Sequence, residues 1–180
     1  MMKSLGKQAL AVAAVVTLGN VGAFQAHAGA TGFSAGYTCR LPVLGTKPVT
    51  INGTLTTSPS RMTTGTPTRF RLHISSPGLR SPVPIESWNI TAAIEVTGAQ
   101  TASFRMTGSG GLIPARQPIT ADLAGVWTPR ARGTHRLRGG NVTIRANVSR
   151  LGNVTVPCVP KEPRPVIATL VVTSPHGTGR

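Results

Sequence analysis

A period of two runs through this chain and governs what it can fold into. Trp88, Ile90, Ala92, Ile94 and Val96 alternate with Asn89, Thr91, Ala93 and Glu95. Phe70, Leu72 and Ile74 alternate with Arg69, Arg71 and His73, and Val142, Ile144, Ala146 and Val148 with Thr143, Arg145, Asn147 and Ser149. Successive side chains of a strand point to opposite faces, so each run predicts a strand with one buried and one wet face. Weaker runs predict further strands at 36–41, 49–57, 102–107, 119–126, 134–138 and 154–158. Turn-forming residues punctuate them, among them Ser76-Pro77-Gly78, Ser81-Pro82-Val83-Pro84, Gly108-Ser109-Gly110-Gly111 and Gly139-Gly140-Asn141. No stretch after the leader sustains the 3.6-residue apolar period of a helix. Short strands at this spacing predict an all-β fold, an antiparallel Greek-key sandwich of immunoglobulin-like kind, with a barrel as the alternative.

The first 28 residues read as an export signal. Lys3 and Lys7 precede an apolar run from Ala9 to Leu18, then Gly19-Asn20, then the small-x-small triplet Ala26-His27-Ala28. The run is too short to span a bilayer, which needs roughly 20 apolar residues. Cleavage after Ala28 divides the 180-residue chain into a signal peptide (1–28), a β-sandwich domain (29–159) and a Pro-rich linker and tail (160–180). In the tail, Val166–Val172 predicts an added edge strand. The expected location is secreted or extracellular, with cell-wall association open.

Two cysteines in an exported chain point to one disulfide, Cys39–Cys158, joining the first strand to the end of the last core strand. In the chain-entropy picture a loop of this length is worth about 4.7 kcal/mol.

Nineteen basic residues against four acids give the chain a net charge of +15. Such a charge speaks to partners and solubility, not to fold. Arg130, Arg132, Arg136, Arg138, Arg145 and Arg150 fall together with no acid among them. Arg136, Arg138 and Arg145 are expected to form one patch across a turn at Gly139-Gly140-Asn141. Guanidinium forks suit phosphate and carboxylate groups. The run lacks the interleaved aromatics that stack bases, which argues against sequence-specific nucleic acid. The alternative is a solvated face that only keeps the protein soluble.

Catalytic patterns are weak. The mature acids Glu86, Glu95, Asp122 and Glu162 are scattered, so no paired-carboxylate site is expected. His73, His135 and His176 with Asp122 are the only triad candidates, and no Gly-x-Ser-x-Gly elbow accompanies them. Metal ligands are not clustered, and Gly108–Gly111 lacks the lysine of a phosphate loop. The sequence therefore predicts a non-enzymatic domain with no cofactor and no metal. Its expected partners are anionic cell-wall polymer or lipid headgroups, and once processed it does not span a membrane. The rival reading is a secreted protein-interaction module, an inhibitor or an assembly subunit.

The opening Tyr37-Thr38-Cys39-Arg40-Leu41-Pro42-Val43-Leu44-Gly45-Thr46-Lys47-Pro48-Val49 and the closing Val154-Thr155-Val156-Pro157-Cys158 resemble those of a family of exported actinobacterial proteins with one disulfide. The resemblance covers residues 36 to about 160. It implies export, the Cys39–Cys158 bridge and a β-sandwich, and it implies no catalytic residues.

Overall fold

The computed structural model describes residues 30–42 and 44–175. The expected signal peptide and His176 lie outside the described residues. Ten strands follow in order: β1 (Thr31–Leu41), β2 (Gly45–Ser58), the two-residue β3 (Met62–Thr63), β4 (Thr68–Arg80) and β5 (Ile85–Gly98). Then come β6 (Ala102–Gly110), β7 (Pro118–Trp127), β8 (Gly133–Val148), β9 (Gly152–Pro160) and β10 (Val166–Thr173).

The expected sandwich is wrong in its architecture. Eight antiparallel strands close into a barrel in the order β8-β5-β6-β7-β4-β2-β1-β9, and β9 returns to β8. The reason lies in β9, which uses both of its edges. One edge pairs with β8 from Val142↔Cys158 to Val148↔Gly152, and the other pairs with β1 at Tyr37↔Pro160, Thr38↔Val159 and Cys39↔Cys158. Two stacked sheets would leave those edges bare, and closure removes them. The connectivity within the barrel is Greek-key, since β8 lies beside β5 in the spatial order β8-β5-β6-β7.

Three punctuation signals also mark something other than a turn. Ser76-Pro77-Gly78 lies within β4, and Gly108–Gly110 ends β6 instead of forming a loose hairpin. Gly108 has a steric reason, because a Cβ there would run into the carbonyl oxygen of Asp122 on β7. Gly139-Gly140-Asn141 sits in the middle of β8. Ala92 pairs with Val142 but Ile94 pairs with Gly139, so β8 carries one residue more than β5 there. This is a β-bulge. A Cβ on Gly139 would strike the Tyr37 hydroxyl, and one on Gly140 would come within 3.2 Å of Ala93 Cβ and Glu95 Oε1.

The bulge divides β8 between two partners. Its first part, from Gly133 to Arg138, pairs with β10, and its second, from Val142 to Val148, pairs with β9. The Val166–Val172 segment is thus a strand against β8, with Ile167, Ala168, Leu170 and Val172 buried.

The two ends of the barrel are filled differently. Around the β7–β8 crossover the interior holds Phe70, Phe104, Trp127 and His135 in a chain of ring contacts, at 4.8, 6.2 and 5.3 Å between centroids. Leu137, Met106 and Val96 are fully buried beside them. Toward the β8–β9 turn the inward residues are aliphatic, and Ile119, Ile144, Ala146 and Val154 remain half-buried.

The bridge between Cys39 and Cys158 is formed, and it lies on the seam where β9 meets β1. Because only three residue pairs hold that seam, Cys39→Ser with Cys158→Ser is expected to lower unfolding free energy by about 2–5 kcal/mol in urea. Phe70→Ala, which empties a fully buried site, is expected to cost about 3–5 kcal/mol in the same assay.

Candidate polyanion-binding face

The bulge decides which side chains of β8 meet solvent. Before it the even-numbered residues point out, so His135 and Leu137 are buried while Arg136 and Arg138 face outward. After it the phase inverts. Val142 turns inward, and Asn141, Thr143 and Arg145 point out. One inserted residue thereby puts Arg136, Arg138 and Arg145 on the same outer face of a single strand, where the sequence suggested two strands joined by a turn.

The rest of the basic run spreads along the molecule. Arg130 and Arg132 lie in the crossover before β8, where the Arg130 backbone N–H donates to Gln100 Oε1 at 2.8 Å. Arg150 lies in the turn after β8, at the opposite end. A strand as long as β8 spans roughly 50 Å, so these six arginines do not form one cluster.

Two centres of charge emerge from the cross-strand register. Around Arg138 the charge is largely answered. Glu95 pairs with Arg138 across β5, and its Oε2 accepts from Arg164 Nη1 at 2.7 Å. Arg164 Nε also lies 2.9 Å from Glu162 Oε1. Hydrogen bonding to Glu95 raises the Arg164 pKa above its ordinary value, with the charges of Glu95 and Glu162 adding to the effect. Glu162 and Arg164 belong to the connection between β9 and β10, so this network fastens that connection to β5.

Around Arg145 the charge is free of acids. Arg145 pairs with Asn89 on β5, Thr143 with Thr91, and Ala93 with Arg105 on β6. These residues and Asn141 line a shallow hollow of about 340 Å³ on the outer wall. Its floor carries hydroxyl and amide groups that can hydrogen-bond neutral polar groups, and Arg105 and Arg145 stand at opposite corners. Two strand spacings and four residues of rise put their Cα atoms roughly 16 Å apart. That separation matches successive charges along a polymer better than one small anion. Arg105 is absent from the basic run in the sequence. Its signal was the alternation on β6, where Phe104 and Met106 are buried and Arg105 is exposed.

His73 and Asp122 face each other across β4 and β7, with Nδ1 and Oδ1 2.8 Å apart, on the outer wall expected for His73. Their side chains are 56% and 85% exposed, so this is a solvated pair without the buried acid of a triad. His135 is fully buried, and its Nε2 donates to the Ala131 carbonyl at 2.9 Å, which places it as a core residue under the crossover. Among the described residues no three His, Cys, Asp or Glu side chains come together as a metal site.

No protein-family model matches this chain, and no curated protein matches it.

Tyr37 is the one tyrosine of the chain, so its phenol reports on the interior without interference. Burial raises its pKa above 10.0, with Arg164 opposing and Glu95 adding to the shift. The folded state therefore keeps the phenol neutral where the unfolded state ionises it. The contribution of Tyr37 to stability is complete below pH 10 and declines as pH rises beyond it. Phenolate absorbance should titrate above pH 10 in the native protein and return to about 10 in denaturant. Tyr37→Phe should flatten the alkaline fall in Tm, and a native midpoint at the ordinary value would contradict the burial.

Proposed function

We propose that this is a non-enzymatic exported domain that associates with anionic polymer of the cell envelope through its outer wall. The observation that carries the reading is the acid-free pairing of Arg105 and Arg145 over the Asn89, Thr91, Asn141 and Thr143 floor. Guanidinium groups recognise phosphate and carboxylate through paired N–H donors. The hydroxyl and amide floor suits the neutral polar groups between the charges of such a polymer. The Cys39–Cys158 bridge is consistent with an oxidising compartment, and the leader read at 1–28 supplies the route there.

The test is co-sedimentation of the oxidised mature protein with isolated cell walls across a salt series. Pelleting should fall steeply with salt, since exposed charges are screened within about 10 Å at 0.1 M. A cation near an anionic surface is worth about fivefold in binding. Arg105→Gln with Arg145→Gln should therefore weaken pelleting by about 25-fold. Arg136→Gln, whose neighbourhood holds Glu95, should lose less. Pelleting that ignores both salt and the double variant overturns the reading.

A second reading, a secreted protein-interaction module, is favoured by the outer edge of β10. That edge pairs with β3 only at Val172 and Thr173, and Val166 and Val171 are exposed beside it. Such an edge accepts an added strand. Val171→Lys should then block capture of a protein partner and leave wall pelleting intact.

A further inference from the structure

The aliphatic end of the barrel is an unfilled cup. Its walls are inward-facing residues of the barrel strands, Ile85, Ile119, Ile144, Ala146, Val154 and Val156. The β4–β5 crossover lies across it with Pro82 and Val83, and Leu44 and Leu151 stand at the lip with more than half their surface exposed. The space measures about 240 Å³, and no aromatic side chain reaches into it. An eight-stranded barrel is just wide enough either to be filled by its own side chains or to hold one small ligand. The other end of this barrel takes the first course with its aromatic chain, and this end leaves half-buried aliphatics around a void.

The lip is basic. Arg80 lines the cup, and its Nη1 donates to the Arg116 carbonyl at 2.8 Å, while the Arg116 backbone N–H donates to the Ser81 carbonyl at 2.7 Å. Arg150 directly precedes Leu151. Glu86 is the acid at this end, and it accepts from the Ser149 hydroxyl at 2.9 Å. Three cations therefore surround one acid. Arg116 and Arg150 are also the two non-glycine residues of the described chain with left-handed backbones, at φ 64° and 70°. That conformation is costly for any residue with a Cβ and favours glycine. Strain of this kind collects at ligand sites, and here it collects on two arginines at one apolar mouth.

We infer that the cup binds a single-chain anionic amphiphile, its alkyl chain among Ile119, Ile144 and Val154 and its carboxylate or phosphate head at Arg80, Arg116 and Arg150. The volume sets the chain length. An apolar cavity of 150 Å³ takes benzene, so 240 Å³ takes about ten carbons. This site is separate from the outer-wall face, and either can fail without the other.

Decanoate titrated into the oxidised mature protein, followed by calorimetry and by methyl NMR, tests the inference. Decanoate should bind one to one and shift the methyl signals of Ile119, Ile144 and Val154. Hexanoate, four methylenes shorter, should bind about a hundredfold more weakly. Decyltrimethylammonium, with the same chain and the opposite charge, should bind at least about tenfold more weakly than decanoate. Ala146→Phe should fill the cup and abolish decanoate binding while wall pelleting is unchanged. Should that variant fail to fold, Arg116→Gly and Arg150→Gly carry the test. Each relieves a left-handed residue, so each should raise Tm while weakening decanoate. Methyl signals that do not move with decanoate, or equal binding of decanoate and the ammonium analogue, overturn the inference. So does self-association of the free protein that buries Leu44 and Leu151 and excludes decanoate, or vesicle insertion through this end that decanoate does not compete with.

Discussion

Backbone hydrogen bonding along β9 is the constraint on which the rest of the molecule depends. An open sheet carries two rows of unpaired N–H and C=O groups, and here a single strand satisfies both. Its pairing with β1 is short, and the Cys39–Cys158 bridge sits on it as a covalent lock. Once the ring is shut, alternate residues of every strand have nowhere to go but a common interior. The core from Tyr37 and Ile51 through Ile94 and Leu123 to Val156 follows from that closure.

One alternation builds two chemistries on opposite sides of the same wall. On β8 and β5 the outward set includes Arg145, Thr143, Asn89 and Thr91, and the inward set includes Ile144, Ala146 and Ile90. The basic outer face and the aliphatic cup are back to back across a single layer of backbone. The acids are few and mostly engaged locally: Glu95 and Glu162 with Arg164, Asp122 with His73, and Glu86 with the Ser149 hydroxyl. What remains uncompensated is arginine on the wall near Arg105 and Arg145 and around the mouth of the cup.

The strands themselves were legible in the sequence. Trp88–Val96, Phe70–Ile74 and Val142–Val148 are strands with the buried faces that their alternation implies, and the two cysteines are joined. Closure was not legible, because nothing local to Val154–Cys158 says that both edges of that segment are occupied. Gly139-Gly140 misled for a related reason. Glycine is selected both by tight turns and by close approach of a neighbouring group, and here Tyr37, remote in sequence, makes the approach. Arg105 went unnoticed since it stands alone in sequence and gains its companion Arg145 through β5. The cup was invisible because Ala146 and Val154 look like ordinary core residues, and a void is a property of the ensemble of side chains around it.

The single extra residue in β8 has a consequence for how this chain can vary. Strand register is all or nothing, because a slip of one residue exchanges the two faces. Loss of one codon at Gly139 or Gly140 would scarcely shorten the protein, yet it would turn Val142, Ile144 and Ala146 toward water and drive Thr143 and Arg145 into the barrel. Through this stretch the gene can exchange side chains freely on the outer wall, but it cannot change its length by one triplet. The bulge is therefore a reading-frame mark written in the fold, and substitution, not deletion, is the route by which this surface can evolve.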